Sequence, residues 1–250
     1  MKALKGSSAI VTGAGSGVGR ATVLALAAAG VRVWAVGRDR ARLERVQREA
    51  SPGEVVVRAL DATDAAAMDA VIGEAEPELV VLSAGARARL GLVPEQTWES
   101  FSEPWNTDVK IAFQVGQTAL RRPLRPGSLV VIVSSGAGLG GSPLSGGYAG
   151  AKRMQMFLAG YLQRSADVAK LGVRFLAVVP KQLVAGTEVG ETAAAAYAAL
   201  AGITRDKFME RFGAPLTAEG VASAIVRVAT GALVPEGPVL GVTGAGTETL

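Results

Sequence analysis

Neither cysteine nor histidine occurs anywhere in the 250 residues. Without cysteine there is no disulfide framework and no thiolate chemistry. Without histidine the commonest general base and metal ligand is gone. Acid–base work therefore falls to Tyr, Lys, Asp or Glu, and no metal site is expected. No uninterrupted apolar span of membrane length occurs. The opening stretch, MKALKGSSAIVTG, runs almost directly into a strand, without an apolar signal core and cleavage site. A soluble, cytoplasmic protein with no membrane partner is expected. The net charge of +4 comes mostly from scattered arginines, such as Arg40, Arg42, Arg45 and Arg48 on one predicted helix. They read as a solvated face. No zinc-ligand spacing or aromatic-rich basic strand supports a nucleic-acid partner.

What is present is an apolar chain, 49% hydrophobic, in which strand-like and helix-like runs alternate. Apolar runs at 7–11, 31–36, 54–60, 78–82, 129–133, 173–179 and 238–242 read as seven strands. Segments with helical spacing lie between them: 18–29, 38–50, 65–75, 94–122 with Pro104 dividing it, about 148–170, and 217–230. This alternation predicts an α/β fold of Rossmann type: a doubly wound, mostly parallel, seven-stranded sheet with helices on both faces. No linker or repeat divides the chain, so one domain is expected over 1–250. Residues 181–213 have weak periodicity and an alanine run, and read as a segment covering the substrate.

Two stretches carry chemistry. The first follows the first strand: Thr12-Gly13-Ala14-Gly15-Ser16-Gly17-Val18-Gly19. Glycines let the backbone approach a pyrophosphate, and a helix N-terminus presents N–H groups to it. Gly13, Ser16, Gly17, Val18 and Gly19 are the candidate contacts; the plain alternative is a tight turn with no ligand. Arg38, beyond the second strand, suits a 2′-phosphate and so favours NADP(H), with NAD(H) also possible. Otherwise it is a surface arginine at a helix start. Asp61, beside Ala62, can meet an adenine amino group, or Asp61 and Asp64 only cap the next helix.

The second stretch runs from Ser134 to Lys152 and ends in Tyr148-Ala149-Gly150-Ala151-Lys152. Residues four apart share a helix face, so phenol and ammonium project together. A free tyrosine's pKa, about 10, is high for acid–base work near neutrality, and an adjacent cation lowers it. Ser135 can hold a carbonyl or alcohol oxygen. Such a trio can protonate a ketone or deprotonate an alcohol, but side chains cannot supply the hydride.

With these residues in place, the chain resembles the short-chain dehydrogenase/reductase family over nearly its whole length. Thr12-Gly13-x-x-x-Gly17-x-Gly19 matches its cofactor motif, and Asp61 its adenine-side aspartate. Ser135, Tyr148 and Lys152 match its catalytic spacing. The resemblance implies that Tyr148 is the acid–base residue, that Lys152 holds the nicotinamide ribose, and that Ser135 orients the substrate oxygen. It also places Ser83, Ala84, Gly85 and Pro180 against the cofactor. The family's Asn-Asn-Ala-Gly is here Leu82-Ser83-Ala84-Gly85, and its Pro-Gly is Pro180-Lys181. Lys181 is expected to point to solvent. At the place of the family's catalytic asparagine stands Asp108, a candidate catalytic carboxylate, with Asn106 as the alternative.

The function expected is NADP(H)-dependent interconversion of a ketone or aldehyde with an alcohol. The alternative is a catalytically weak cofactor-binding sensor or assembly protein. The alanine-rich cover favours a small apolar or cyclic substrate over a sugar. The resemblance, with surplus apolar residues on the long helix, implies a homodimer or homotetramer.

Overall fold

The computed structural model describes residues 4–87 and 89–250; Met1 to Ala3, the first residues of the opening stretch read above, lie outside them. In chain order the first half comprises β1 (Ser8–Thr12), α1 (Gly17–Ala28), β2 (Arg32–Gly37), α2 (Arg40–Glu49), β3 (Val55–Ala59), α3 (Ala65–Ala75), β4 (Leu79–Leu82), α4 (Trp98–Pro104), α5 (Lys110–Arg121) and β5 (Leu129–Val133). The second half comprises α6 (Ala137–Gly140), α7 (Gly146–Val168), β6 (Arg174–Pro180), β7 (Val184–Ala185), α8 (Glu188–Leu200), α9 (Arg205–Met209), β8 (Leu216–Thr217), α10 (Ala218–Ala229), β9 (Val239–Thr243) and β10 (Gly246–Thr249).

One sheet has the order β10-β9-β6-β5-β4-β1-β2-β3, parallel throughout except for the antiparallel pair β9–β10. Successive strand side chains point to opposite faces, and the core divides accordingly. Val11, Val33, Val81, Val131 and Val178 meet α1, α2 and α10 through Leu26, Leu43 and Ile225. Ile10, Val36, Val80, Ile132 and Val179 meet α3, α5 and α7 through Met68, Ile111 and Leu158. The doubly wound, mostly parallel architecture with helices on both faces follows from this layering.

The strand count differs from the seven expected. The eighth sheet strand, β10, is the polar run Gly246-Thr247-Glu248-Thr249, which folds back on β9 with Gly246 opposite Thr243. Its pairing rests on backbone bonds, so no apolar alternation marks it in the sequence. A separate two-stranded ladder joins β7 to β8.

Between α4 and α5 the chain makes a π turn, Trp105–Val109. Pro104 is the last residue of α4, so the helical stretch is divided there as expected. Proline removes a backbone donor from the ladder, and the wider π register follows it directly. The turn leaves Trp105 and Asn106 exposed and buries Asp108. Residues 181–213 are more ordered than their weak periodicity suggests, with α8 capped by Thr187 and α9 by Thr204.

Candidate active site

Strand order reverses between β1 and β4, and ligands of open parallel sheets lie in the crevice at that point, beyond the strands' C-terminal ends. The loops from both sides are locked together there. Thr12 is fully buried, and its Oγ1 accepts from the Ser83 and Ala84 amides, each at 3.2 Å. Gly13 adopts φ +66°, and a Cβ on it would lie 2.7 Å from the Ala84 nitrogen. The glycine turn and the Ser83–Gly85 loop therefore touch backbone to backbone.

The turn fits a pyrophosphate. Ser16 caps α1 without a side-chain bond, and no acidic residue stands in the first turn. By contrast, α2, α3, α8 and α10 each begin under a side-chain cap. Gly17 adopts φ +50°, and a Cβ on Gly19 would lie 2.2 Å from the Gly13 carbonyl oxygen. Gly17 and Val18 are partly exposed, so the first N–H groups of α1 remain open to an anion.

Arg38 is exposed beyond β2. Asp39 is the cap of α2, accepting from the Arg42 amide at 3.0 Å. Asp61, beyond β3, accepts from the Thr63 amide and hydroxyl, both at 2.9 Å. That turn bond leads the causes holding its carboxyl below the ordinary aspartate value, and the charge of Arg38 adds to it. Asp64 caps α3. Ala62 is buried beneath.

On the other side of the crevice, Ser135 lies two residues beyond β5, partly buried. Its Oγ accepts from the Ala137 amide at 3.2 Å, which leaves the hydroxyl proton free to be donated. Ser134, buried, donates to the Lys152 carbonyl at 2.7 Å and ties the end of β5 to α7. The start of α7 is fixed by close approach: a Cβ on Gly147 would lie 1.7 Å from the Phe101 carbonyl oxygen. Tyr148 follows, partly exposed, and the Lys152 ammonium stands 5.4 Å from its ring centroid.

Lys152 does not face a solvated cleft. Its Nζ lies 2.9 Å from Asp108 Oδ2, and it donates to Gln155 Oε1 at 3.0 Å and to the Val133 carbonyl at 3.3 Å. Oδ2 meets the ammonium as an ion pair and has no other hydrogen-bond partner. Asp108 Oδ1 accepts from the Ala86 amide at 2.7 Å. A Cβ on Gly85 would lie 2.9 Å from this carboxylate. Burial pulls the ammonium's pKa down, but Asp108 and Tyr148 more than offset that and hold it above the ordinary 10.5.

The π turn thus brings Asp108 to Lys152, while Asn106 is exposed, donating to Ser102 Oγ at 3.4 Å. Pro180 ends β6, buried, and its carbonyl accepts from the Gly136 amide at 2.7 Å. Lys181 does not point free into solvent. It pairs with Glu248 of β10, a partner hidden in a strand that the sequence pattern does not mark. Gln155 escaped the sequence reading too. The available signal was an amide three residues past Lys152 in the run Met154-Gln155-Met156-Phe157-Leu158.

The short chain dehydrogenase family pattern matches residues 7–197, and the chain belongs to that family. It is 37% identical over 131 residues to the L-xylulose reductase of Mesocricetus auratus, covering 52% of this chain and 53% of that one. It is 35% identical over 133 residues to the D-erythrulose reductase of Gallus gallus, covering 52% and 53%. With the NADPH carbonyl reductase 2 of Sus scrofa it shares 34% over 132 residues, again covering 52% and 53%. The chain spans about half the length of these curated relatives. Among solved structures, an actinorhodin polyketide ketoreductase crystallised with NADPH superposes with a TM-score of 0.80 at 20% identity, over 98% of each chain. That likeness speaks for the fold alone. No helix among the described residues is long and apolar enough to cross a membrane.

Proposed function

We propose that the protein is an NADP(H)-dependent oxidoreductase that interconverts a ketone or aldehyde with an alcohol, Tyr148 being the general acid and base. The carrying observation is the Lys152 ammonium 5.4 Å from the Tyr148 ring, at the strand ends that also carry the open glycine turn. When bound, the nicotinamide supplies the hydride that no side chain can. Ser135 donates its free proton to the substrate oxygen and orients it. Tyr148 gives that oxygen a proton during reduction and takes one during oxidation. Gly13, Ser16, Gly17, Val18 and Gly19 would hold the pyrophosphate, and Asp61 and Ala62 the adenine end. Ser83, Ala84, Gly85, Lys152 and Pro180 would hold the nicotinamide end. Asp108 balances the Lys152 charge.

NADP(H) is favoured over NAD(H) by the exposed Arg38 guanidinium, and the name of the similar carbonyl reductase carries NADPH. Residues 181–213 cover the substrate side of a single domain. Phe157 and Tyr161, stacked at 5.8 Å and about half exposed on α7, favour a homo-oligomer.

The test follows the absorbance of the reduced nicotinamide with both cofactors. The panel spans L-xylulose and D-erythrulose, from the names of the relatives, and apolar cyclic ketones, from the alanine-rich cover. Carbonyl reduction that drops by about 10²–10⁴-fold in Tyr148→Phe is expected; a variant near wild-type rate refutes the assignment. Arg38→Ala should weaken NADPH far more than NADH, and equal effects would contradict the 2′-phosphate role. The buried Lys152–Asp108 pair is the one observation favouring a weakly catalytic cofactor-binding sensor or assembly protein. Tight NADPH binding with no turnover of any carbonyl would decide for it.

A further inference from the structure

We propose that Gln155 is a positioning residue for the reaction, fixing the Lys152 ammonium, already paired with Asp108, at one place beside Tyr148. The proposal rests on the reading of Tyr148 and Lys152 given above. Gln155 is 1% exposed, on the face of α7 that carries Met156, Leu158 and Ala159 into the core. An amide there is costly unless both its ends are bonded, and both are. Oε1 accepts from Lys152 Nζ at 3.0 Å, and Nε2 donates to the Asp108 backbone carbonyl at 3.2 Å. One side chain thereby spans from the lysine to the π turn that carries Asp108.

A lysine head is a mobile point charge with three donors on a flexible stem. Here β5 holds it through the Val133 carbonyl and α7 holds it through Gln155. With both bonds in place, Asp108 Oδ2 completes the ammonium's surroundings as an ion pair at 2.9 Å. Without Gln155 the head is left with the longer Val133 bond. It is then free to turn about the Asp108 carboxylate, whose Oδ2 lacks a hydrogen bond. That freedom loosens the ammonium beside Tyr148 without removing any group that touches substrate.

The experiment compares wild type, Gln155→Leu and Gln155→Glu. The glutamate, when protonated, retains both an acceptor for Lys152 and a donor for the Asp108 carbonyl. The first readout needs neither cofactor nor activity: solvent exchange of the Lys152 ammonium protons, followed by ¹⁵N NMR. Q155L should exchange them at least about tenfold faster, and Q155E should resemble wild type. The second readout is turnover with NADPH, with active sites counted by cofactor titration. Q155L should lower kcat about tenfold or more with substrate KM within roughly twofold, since small misplacements near the reacting groups act on the rate. Q155E should stay within about threefold of wild type.

Unchanged ammonium exchange in Q155L overturns the proposal. So does a Q155E that loses as much as Q155L. If Q155L does not fold, Gln155→Met replaces it, and equal behaviour of Q155M and Q155E is equally fatal. A wild type inactive on every carbonyl would sink the proposed reaction, while the exchange measurement would still decide the role of Gln155.

Discussion

Lys152 and Asp108 form a buried ion pair, Nζ to Oδ2 at 2.9 Å, with side chains 8% and 1% exposed. Removing one partner of such a pair leaves an uncompensated charge in a poorly solvated site, at a cost of about 3–5 kcal/mol. Lys152→Met and Asp108→Ala are each expected to lose about that much in urea denaturation. The double variant should lose less than the sum, because no stranded charge remains. Additive losses would show that the two groups do not feel each other.

The same pair sets an alkaline limit. Its neighbours hold Lys152 above 10.5 in the folded protein. A raised folded value means the folded state keeps its proton where the unfolded chain releases it. The contribution is therefore complete below about pH 10.5 and is lost as pH rises through the folded value. Denaturation of wild type and K152M from about pH 8 to about pH 12 should show the stability gap holding constant and then closing only at the alkaline end. A gap that closes between about pH 8 and pH 10 would contradict the assignment.

The sheet was readable because its strands are short apolar runs buried on both faces, as Leu129–Val133 is. The two halves of the candidate site could be proposed from the sequence because their spacings, Gly13 to Gly19 and Tyr148 to Lys152, are local. What escaped is whatever depends on a distant partner. Glu248 is polar and sits on an edge strand, so nothing local announces that it holds Lys181. Asp108 faces inward because a π turn follows Pro104, and periodicity reasoning assumes regular α-helix. Gln155 interrupts an apolar run, and only its two bonded ends explain it.

Gly147 is expected to tolerate no side chain. A Cβ there would lie 1.7 Å from the Phe101 carbonyl oxygen, so Gly147→Ala must push α4 from α7 beside Tyr148. Overpacking of this kind costs about 1–3 kcal/mol or more, measurable by thermal melting. The displacement should also lower carbonyl reduction by about 10²-fold. By contrast, a Cβ on Gly140 meets nothing within 4 Å, and Gly140→Ala serves as the control.

Thr12 bonds two amides of the loop across the switch point, each at 3.2 Å. Thr12→Val preserves the shape and removes the acceptor, leaving both N–H groups without their partner. A loss of about 1–3 kcal/mol is expected, together with faster hydrogen exchange at the Ser83 and Ala84 amides. Thr12→Ser should restore both. If T12V exchanges as slowly as wild type, the hydroxyl is not what holds this loop.

Tyr197 of α8 is latched to the loop before α7 by a hydroxyl contact with Ser142. The Tyr197 ring stacks on Phe208 at 5.8 Å, and Phe208 meets Phe212 edge-on at 5.7 Å. Tyr197→Phe keeps the stack and removes only the latch. One hydrogen bond of this kind is worth about 0.5–1.5 kcal/mol, a factor of roughly 2–10 in an opening equilibrium. Trypsin should therefore cut after Arg205 or Lys207 in Y197F faster by about that factor, with little change in melting temperature. Substrate KM should rise to a similar extent. Equal cleavage rates would mean that the aromatic stack, and not the hydroxyl, holds α8 and α9 in place.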